Sequence, residues 1–322
     1  MLKGDIMMSV ENITDITDMI YSDLQCCIDE ENIMRDEPMS KHTSFKIGGP
    51  ADIYIVPQSK EEFIDAMKVL TVHNYPYMIV GNGTDLLIKD GGIEGAVINT
   101  AELNNIQVCG DALIAGAGTT LESLCNAALS SSLTGIEFAC GIPGTIGGAV
   151  YMNAGAYGGE IKDVCEWCNV IDMKSLKQCK IYRDDMNFGY RTSTVQQKGY
   201  ITLEACFKLK KGESNDIKSR MDEFNRKRRE KQPLEFPSAG SVFKRPEGYY
   251  AGKLIEDAGL KGMCVGGAQV SEKHTGFIIN RGSASADDVI KLIRLVQRTI
   301  KEKFGVDMHP EIKIIGEEMR VY

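Results

Sequence analysis

Three glycine-rich segments fall within about seventy residues of this sequence: Gly81-Asn82-Gly83-Thr84-Asp85, Gly116-Ala117-Gly118-Thr119, and Gly141-Ile142-Pro143-Gly144-Thr145-Ile146-Gly147-Gly148-Ala149. Glycine lets a backbone approach a pyrophosphate closely and turn its N–H groups toward the oxygens. Singly, each segment reads as an ordinary turn; together they point to a bound ligand, with the first and third jointly able to cradle a dinucleotide. A Rossmann reading fits poorly. Leucine stands where the third glycine belongs in the first two segments, and LLIKDGG is too short and strand-like for the helix that motif needs. The Walker pattern is absent as well. The third segment runs on into AVYMNAGAYGGEI, small residues around Asn153 that suit a flat aromatic ligand, with tight backbone packing as the alternative.

Three further side chains are suited to handling charge or protons. In Gly189-Tyr190-Arg191-Thr192-Ser193 a fixed cation sits among hydrogen-bonding groups, and a planar guanidinium can hold a carboxylate bidentately. In Ser238-Ala239-Gly240-Ser241-Val242-Phe243-Lys244 a hydroxyl lies between residues small enough for a substrate to come close. No Gly-x-Ser-x-Gly elbow surrounds it, so proton donation suits Ser241 better than acyl transfer. Glu311, in His309-Pro310-Glu311-Ile312, opens the last apparent strand, where a carboxylate faces a site or simply water. Taken alone, the three read as a surface ion-pair partner, a turn serine and a surface acid. The four histidines are far apart and show no HExxH-like spacing, so metal catalysis is not expected. Cys165-Glu166-Trp167-Cys168 has C-x-x-C spacing but reads as a strand, on which residues three apart point to opposite faces, and packing is its expected role. The basic run RKRREK at 226–231 could bind phosphate, but a solvated helix face is the plainer reading and it is assigned no chemistry.

The elements that must position these groups are legible as changes of periodicity. Apolar positions from Val10 to Ile33, spaced three and four among acids, predict an amphipathic helix that acts as an accessory cap. From Phe45 the pattern shifts to short apolar runs broken by glycine (FKIGG, ADIYIVP, YPYMIVG, LLI, AVIN), with one helix at SKEEFIDAMKVLTVH. Between 106 and 210 come the strands ALIAGAG, WCNVIDM and YITLEACFKLK and the helix TLESLCNAALSSS. Strands this numerous with helices this few exclude regular βαβ alternation and predict an α+β fold. DIKSRMDEFNRKRREKQP reads as a polar helix bridging into another lobe and ending at Pro233. That lobe carries a helix at KLIEDAG, a strand at GFIIN and a last helix capped by Ser283 or Ser285, with Asp287 and Asp288 in its first turn. EIKIIGE closes the chain as a strand.

Composition sets the outer limits. The 322 residues allow two or three lobes, and a net charge of −8 with a pI near 5.2 argues against nucleic acid as a partner. Ten scattered cysteines without a signal peptide predict reduced thiols. Acids interrupt the first twenty residues and no run of about 18 apolar residues occurs, so a cytoplasmic protein without a membrane span is expected.

Seven blocks stand in order from His42 to Glu317: HTSFKIGGPAD, GNGTDLLIKDGG, GIPGTIGGAVYMNAGAYGGEI, FGYRTS, PSAGSVFKRPEGYYAGKLIEDAGLKG, KHTGFIIN and HPEIKIIGE. Through them the chain resembles the UDP-N-acetylenolpyruvoylglucosamine reductase (UDP-N-acetylmuramate dehydrogenase) family, whose FAD domain is of the vanillyl-alcohol oxidase (PCMH) type. The expected architecture is α+β: a helical extension at 1–37, a two-lobed FAD-binding domain at 38–212, a smaller α+β substrate-binding domain at 213–305, and a strand within 306–322 that brings Glu311 to the site. The resemblance implies noncovalent FAD, held by Gly81, Asn82, Gly83, Thr84 and Asp85 and by Ile142, Pro143, Gly144, Thr145, Gly147, Gly148, Asn153, Ala154, Gly155 and Ile161. It implies NADPH as co-substrate, the enolpyruvyl ether of a UDP-sugar as substrate, and catalytic roles for Arg191, Ser241 and Glu311 on the route to peptidoglycan. In the implied mechanism NADPH reduces FAD and leaves, and the flavin passes a hydride to the methylene carbon of the enolpyruvyl group. Arg191 stabilises the developing charge, Glu311 holds or protonates the enol-like intermediate, and Ser241 delivers the proton to carbon. Tyr190, Lys244 and Lys253 are the candidates on the substrate side, the two lysines for the UDP diphosphate. A monomer is expected, with a weak dimer as the alternative.

The departures from the family pattern are Thr84-Asp85, where serine and asparagine are commoner, Met308 before HPEI, and the long amino-terminal helix. A carboxylate at Asp85 facing a pyrophosphate would repel it, so this side chain is expected to turn to backbone N–H groups. The compact stretch between Phe243 and Asn280 looks like the family's shorter subtype. Two other readings have weaker support. An oxidase of another small alcohol or sugar with covalent flavin usually carries a histidine in the first glycine loop, and GNGTD has none. A nonenzymatic nucleotide-binding relative would be expected to have lost Arg191, Ser241 or Glu311, and all three are present.

Overall fold

In the computed structural model, which describes residues 10–319, the alternating run ADIYI and the apolar runs YMIV and AVIN become the centre of one sheet. Strands Pro50–Ile55, Ile93–Asn99 and Tyr77–Val80 pair in parallel in that order, and helix Lys60–Val72 is the crossover between them. Ser59 caps this helix by accepting from the Glu62 N–H, and Phe63, Ala66, Met67 and Leu70 form the stripe it buries. Strand Ile33–Pro38 adds an antiparallel edge to Pro50–Ile55. The amino-terminal helix therefore does not run to Ile33 as its periodicity predicts; it ends at Leu24. Pairing with the sheet edge satisfies the backbone of Ile33–Pro38, and this tertiary demand overrides a local helical pattern. Ile20, Leu24 and Ile28 share a core with Ile53 and Phe63.

The second lobe is a five-stranded antiparallel sheet ordered Gln178–Tyr182, Cys165–Asp172, Tyr200–Lys208, Ala112–Gly116, Ile106–Cys109. Helices Leu121–Ser130, Ile146–Met152 and Ser214–Lys231 contribute to its core. A register shift between Cys165 and Trp167 overturns the opposite-face expectation for the two cysteines. The bulge adds half a period, so both side chains enter the core and their sulfurs lie 3.7 Å apart. Burial raises the Cys168 thiol pKa well above the ordinary value, which keeps it protonated. The second glycine segment also proves structural: a Cβ at Gly116 would stand 2.2 Å from the Leu103 oxygen, and one at Gly118 1.7 Å from the Thr100 oxygen.

The third lobe sets the antiparallel strands Cys264–Val265, Ala268–Val270 and Ile278–Asn280 against helices Ala251–Asp257 and Ala286–Phe304. Ser285 caps the long helix in a capping box with Asp288. Phe45, Ile47 and Leu87 from the first half of the chain join this lobe's core, so the lobes are not independent. The end of the chain returns across that junction: strand Lys313–Ile315 pairs in parallel with Leu86–Ile88, directly after the first glycine loop. Among the described residues no helix is long and apolar enough to cross a membrane.

Candidate active site

Arg191 lies in a tight hairpin between Gly189 and Thr192, at a φ of 56°. A non-glycine residue in this region costs on the order of 1–3 kcal/mol and persists only where its surroundings fix it. The fixing contacts are present. Arg191 Nε donates to Glu311 Oε1 at 2.6 Å, and Tyr190 Oη donates to Glu311 Oε2 at 3.2 Å. Burial works against the guanidinium's charge, but the hydrogen bond and charge of Glu311 outweigh it and hold the proton more firmly than usual. Burial also raises the Tyr190 hydroxyl pKa, keeping it a donor.

Asn153 braces this hairpin. At a φ of 47° it ends the helix Ile146–Met152, and its amide donates to the Gly189 carbonyl and to Glu160 Oε2, both at 3.0 Å, while its oxygen accepts from Lys162 N–H at 3.0 Å. Its polar atoms are thus engaged by protein, so it is placed as a support for Arg191 more directly than as a ligand to the cofactor.

The serine segment reaches the acid through the main chain. Val242 N–H donates to the Gly276 carbonyl at 2.9 Å, and Glu311 N–H donates to the Val242 carbonyl at 2.7 Å. Bridges Ser241–Phe277 and Phe243–Pro310 complete the ladder. Gly240, at a φ of 75°, gives the turn that presents Ser241. Arg191, Ser241, Glu311 and Tyr190, up to 121 positions apart in sequence, thereby line one cleft of about 450 Å³.

The outer part of this cleft carries Lys253, Lys261, Lys273 and His274, with Glu256 and Glu272 as its acids. Lys253 is mostly exposed and pairs with Asp257 at 2.8 Å. Lys244 is not among the cleft-lining residues; its N–H donates to the His309 carbonyl. Arg245 stands 4.0 Å from the centroid of the Tyr250 ring, and both line the cleft. Nothing in the sequence pattern had singled out that pair.

The first and third glycine segments face each other. A Cβ at Gly81 would lie 2.4 Å from Thr145 Oγ1, one at Gly83 2.2 Å from the His42 oxygen, and one at Gly144 3.8 Å from Thr84 Oγ1. Asn82 Nδ2 donates to the Pro143 carbonyl at 3.5 Å. Gly147 backs onto Ala117, whereas a Cβ at Gly148 would stand 3.8 Å from Thr145 Oγ1. Gly155 opens onto a second cleft of about 380 Å³, separated from the first by Tyr190 and Arg191, which line both. Ile142 donates its N–H to the Ala139 carbonyl, Ala154 to Ala149 and Ile161 to Ala154; Ile161 is fully buried, so it can contribute shape alone.

Two side chains around this groove hold buried polar atoms that no hydrogen bond satisfies: Asp85 Oδ2, and Arg228 Nε and Nη2. The expected turn of Asp85 toward backbone N–H groups is therefore not found for Oδ2. Its burial and, next, the charge of Glu311 raise this carboxyl to about 7, against the opposing effect of Lys313, Arg191 and Lys244. Arg228 belongs to the RKRREK run read as a solvated face, yet it is only 8% exposed. It lies against Gly141, whose added Cβ would be 3.2 Å from Nε, and stands 5.6 Å from the Tyr157 ring centroid. The apolar stripe Ile217, Met221, Phe224 explains the correction, since helical spacing brings position 228 to the same inward face. A buried, unpaired cation beside a glycine cradle fits an anionic diphosphate such as that of FAD.

Comparison with known proteins agrees with this geometry. Residues 51–175 match the family described as FAD binding domain, and residues 232–315 match the C-terminal domain of UDP-N-acetylenolpyruvoylglucosamine reductase. The reductase of that name from Clostridium botulinum is 54% identical over 291 residues, covering 90% of this chain and 95% of the relative. The chain belongs to the UDP-N-acetylenolpyruvoylglucosamine reductase family. A second reductase of the family, from Caldanaerobacter subterraneus subsp. tengcongensis, is 51% identical over 303 residues, covering 94% of this chain and all of that one. The crystal structure of the reductase from Thermus caldophilus aligns with a TM-score of 0.75 at 35% identity, covering 86% of this chain and 97% of that one. The protein is thus an FAD-dependent oxidoreductase with the expected α+β fold and an FAD-binding domain.

Proposed function

We propose that this reductase converts UDP-N-acetylglucosamine enolpyruvate to UDP-N-acetylmuramate for peptidoglycan synthesis, with NADPH as the hydride source. The observation that carries the reading is the convergence of Ser241 with the Arg191–Glu311 pair on one cleft, supported by the family's name. FAD, which Gly81–Asp85, Gly141–Gly148 and Arg228 would hold, would supply the hydride-transfer chemistry between NADPH and the enolpyruvyl double bond.

Glu311 engages Nε of Arg191, leaving Nη1 and Nη2 as donors for a substrate carboxylate on which negative charge builds. Glu311, gripped by Arg191 and Tyr190, holds or protonates the enol-like species. Ser241 delivers the proton to the adjacent carbon. A serine hydroxyl is a weak acid, so it gives up its proton only to a strongly basic carbon, which this substrate supplies. Gly81–Asp85, Gly141–Gly148 and Arg228 serve the FAD diphosphate, and Tyr190 and Lys253 the substrate. Lys244 acts at the rim through its charge.

On this reading 38–212 is the cofactor domain, 213–305 the substrate domain and 306–322 the returning strand, in a cytoplasmic monomer. The test is NADPH oxidation by the FAD-loaded protein with and without UDP-N-acetylglucosamine enolpyruvate. Strong stimulation by this substrate is expected. A flavin that NADPH reduces but this substrate fails to reoxidise would overturn the function and leave the fold intact.

A further inference from the structure

We propose that Asp85 makes cofactor retention proton-dependent: the protein holds FAD with Asp85 as the neutral acid and loosens its hold as that carboxyl ionises. The inference rests on the assignment of the facing glycine segments to the FAD diphosphate.

Asp85 closes the loop whose Gly81 and Gly83 present bare backbone. Its carbonyl accepts from Lys313 N–H at 2.9 Å, which locks the loop to the strand carrying Glu311. Its Oδ2 is buried with no hydrogen bond to stabilise a charge there. The charged groups around it come from every neighbouring segment, and most are already committed. Arg191, from the hairpin, is bonded to Glu311 at 2.6 Å. Lys313, from the last strand, is bonded to the Tyr151 hydroxyl and lies 3.8 Å from that ring's centroid. His42 and Glu37, behind Gly83, bond each other at 2.9 Å. Lys244 is exposed.

An ionised Asp85 would therefore add to the charge of Glu311 in a poorly solvated place, and a bound diphosphate would add more of the same sign. The neutral acid avoids the repulsion and can also donate a hydrogen bond to an anionic oxygen, which the carboxylate cannot. An asparagine in its place would share both properties and has no proton to lose. The raised pKa, about 7 without cofactor, places the transition near neutrality. Linkage fixes the sign: FAD affinity is constant below the midpoint and falls above it, by up to about tenfold per pH unit if only the neutral form binds.

The experiment strips the full-length protein of FAD and titrates FAD back, by quenching of its fluorescence, from about pH 6 to pH 9 at constant ionic strength, in the unmodified protein and in Asp85→Asn. The unmodified protein should show a flat Kd that rises toward tenfold per unit at the alkaline end, whereas Asp85→Asn should bind with one Kd throughout. The unmodified profile stands by itself if the variant does not fold. A flat profile in the unmodified protein, or an equal slope in a folded Asp85→Asn, would overturn the inference. Failure of both proteins to bind FAD at any pH would instead strike the groove assignment, and the inference with it.

Discussion

The proposed catalytic cluster and the proposed cofactor groove lie side by side but are built on opposite principles. Around Glu311 each carboxylate oxygen has a donor, Arg191 on one and Tyr190 on the other, and Asn153 braces the strained hairpin that carries both. In the groove, Arg228 leaves two guanidinium nitrogens unpaired and Asp85 leaves a buried oxygen unpaired. The first region is organised before any ligand arrives, as electrostatic catalysis requires. The second keeps unmet hydrogen-bonding capacity that a diphosphate would satisfy, so part of the binding energy offsets the cost of burying Arg228.

The comparison can be broken by substitution. Glu311→Gln keeps the shape and removes the charge that orders the cluster, and turnover should fall about 10²–10³-fold while FAD remains bound. Steady-state rates and the flavin absorbance of the purified variant check both halves; loss of the flavin would mean that the two regions are not separable. Arg228→Met should act in the opposite sense. FAD affinity should weaken at least about tenfold, yet the FAD-free protein should become more stable by roughly 1–4 kcal/mol, because an unpaired buried cation is replaced by an apolar side chain. Denaturant melts with and without FAD measure the two effects, and a destabilised FAD-free variant would show that the Gln232 hydrogen bond and the Tyr157 contact outweigh the cost of burying Arg228.

A gentler perturbation is pH. The Asp85 carboxyl titrates near 7 in the folded protein and near 4 in an unfolded chain, so between these values the folded state binds the extra proton. Its contribution to stability is therefore present below about pH 4 and is lost as pH rises to about 7. Melts of the FAD-free protein across that window should decline more steeply than those of Asp85→Asn. The smallest effect belongs to Lys253→Ala, since that side chain is exposed and already paired with Asp257. KM for the UDP-sugar should rise by a few-fold with kcat unchanged, as expected for a solvent-screened contact.

The same contrast explains what the sequence disclosed. Arg191, Ser241 and Glu311 were legible only through the ordered blocks of glycine, serine and proline that surround them, since each alone reads as a surface or turn residue. Their convergence was not, since it depends on the ladder from Val242 to Glu311 and on the parallel pairing of the last strand with Leu86–Ile88. Arg228 was hidden by its neighbours: all six residues of RKRREK are charged, and the other five are not buried, as in an ordinary charge run. The stripe Ile217, Met221, Phe224 held the signal that the fourth position on that face turns inward. The orientation of Cys165 and Cys168 was out of reach, because a single bulge reverses strand parity and leaves no mark in composition. The strand at Ile33–Pro38 was missed for a similar reason, as partners 12 to 22 residues away in Pro50–Ile55 decided it.

On the proposed reading the serine cluster serves the substrate half of the reaction and leaves the cofactor half alone. The most direct test follows flavin absorbance in rapid-mixing experiments on Ser241→Ala, first with NADPH and then, after reduction, with UDP-N-acetylglucosamine enolpyruvate. Reduction by NADPH should stay within about twofold of the unmodified enzyme, and reoxidation by substrate should slow about 10²–10⁴-fold, the range expected for a lost general acid. Equal slowing of both steps, or reoxidation at an undiminished rate, would contradict that reading.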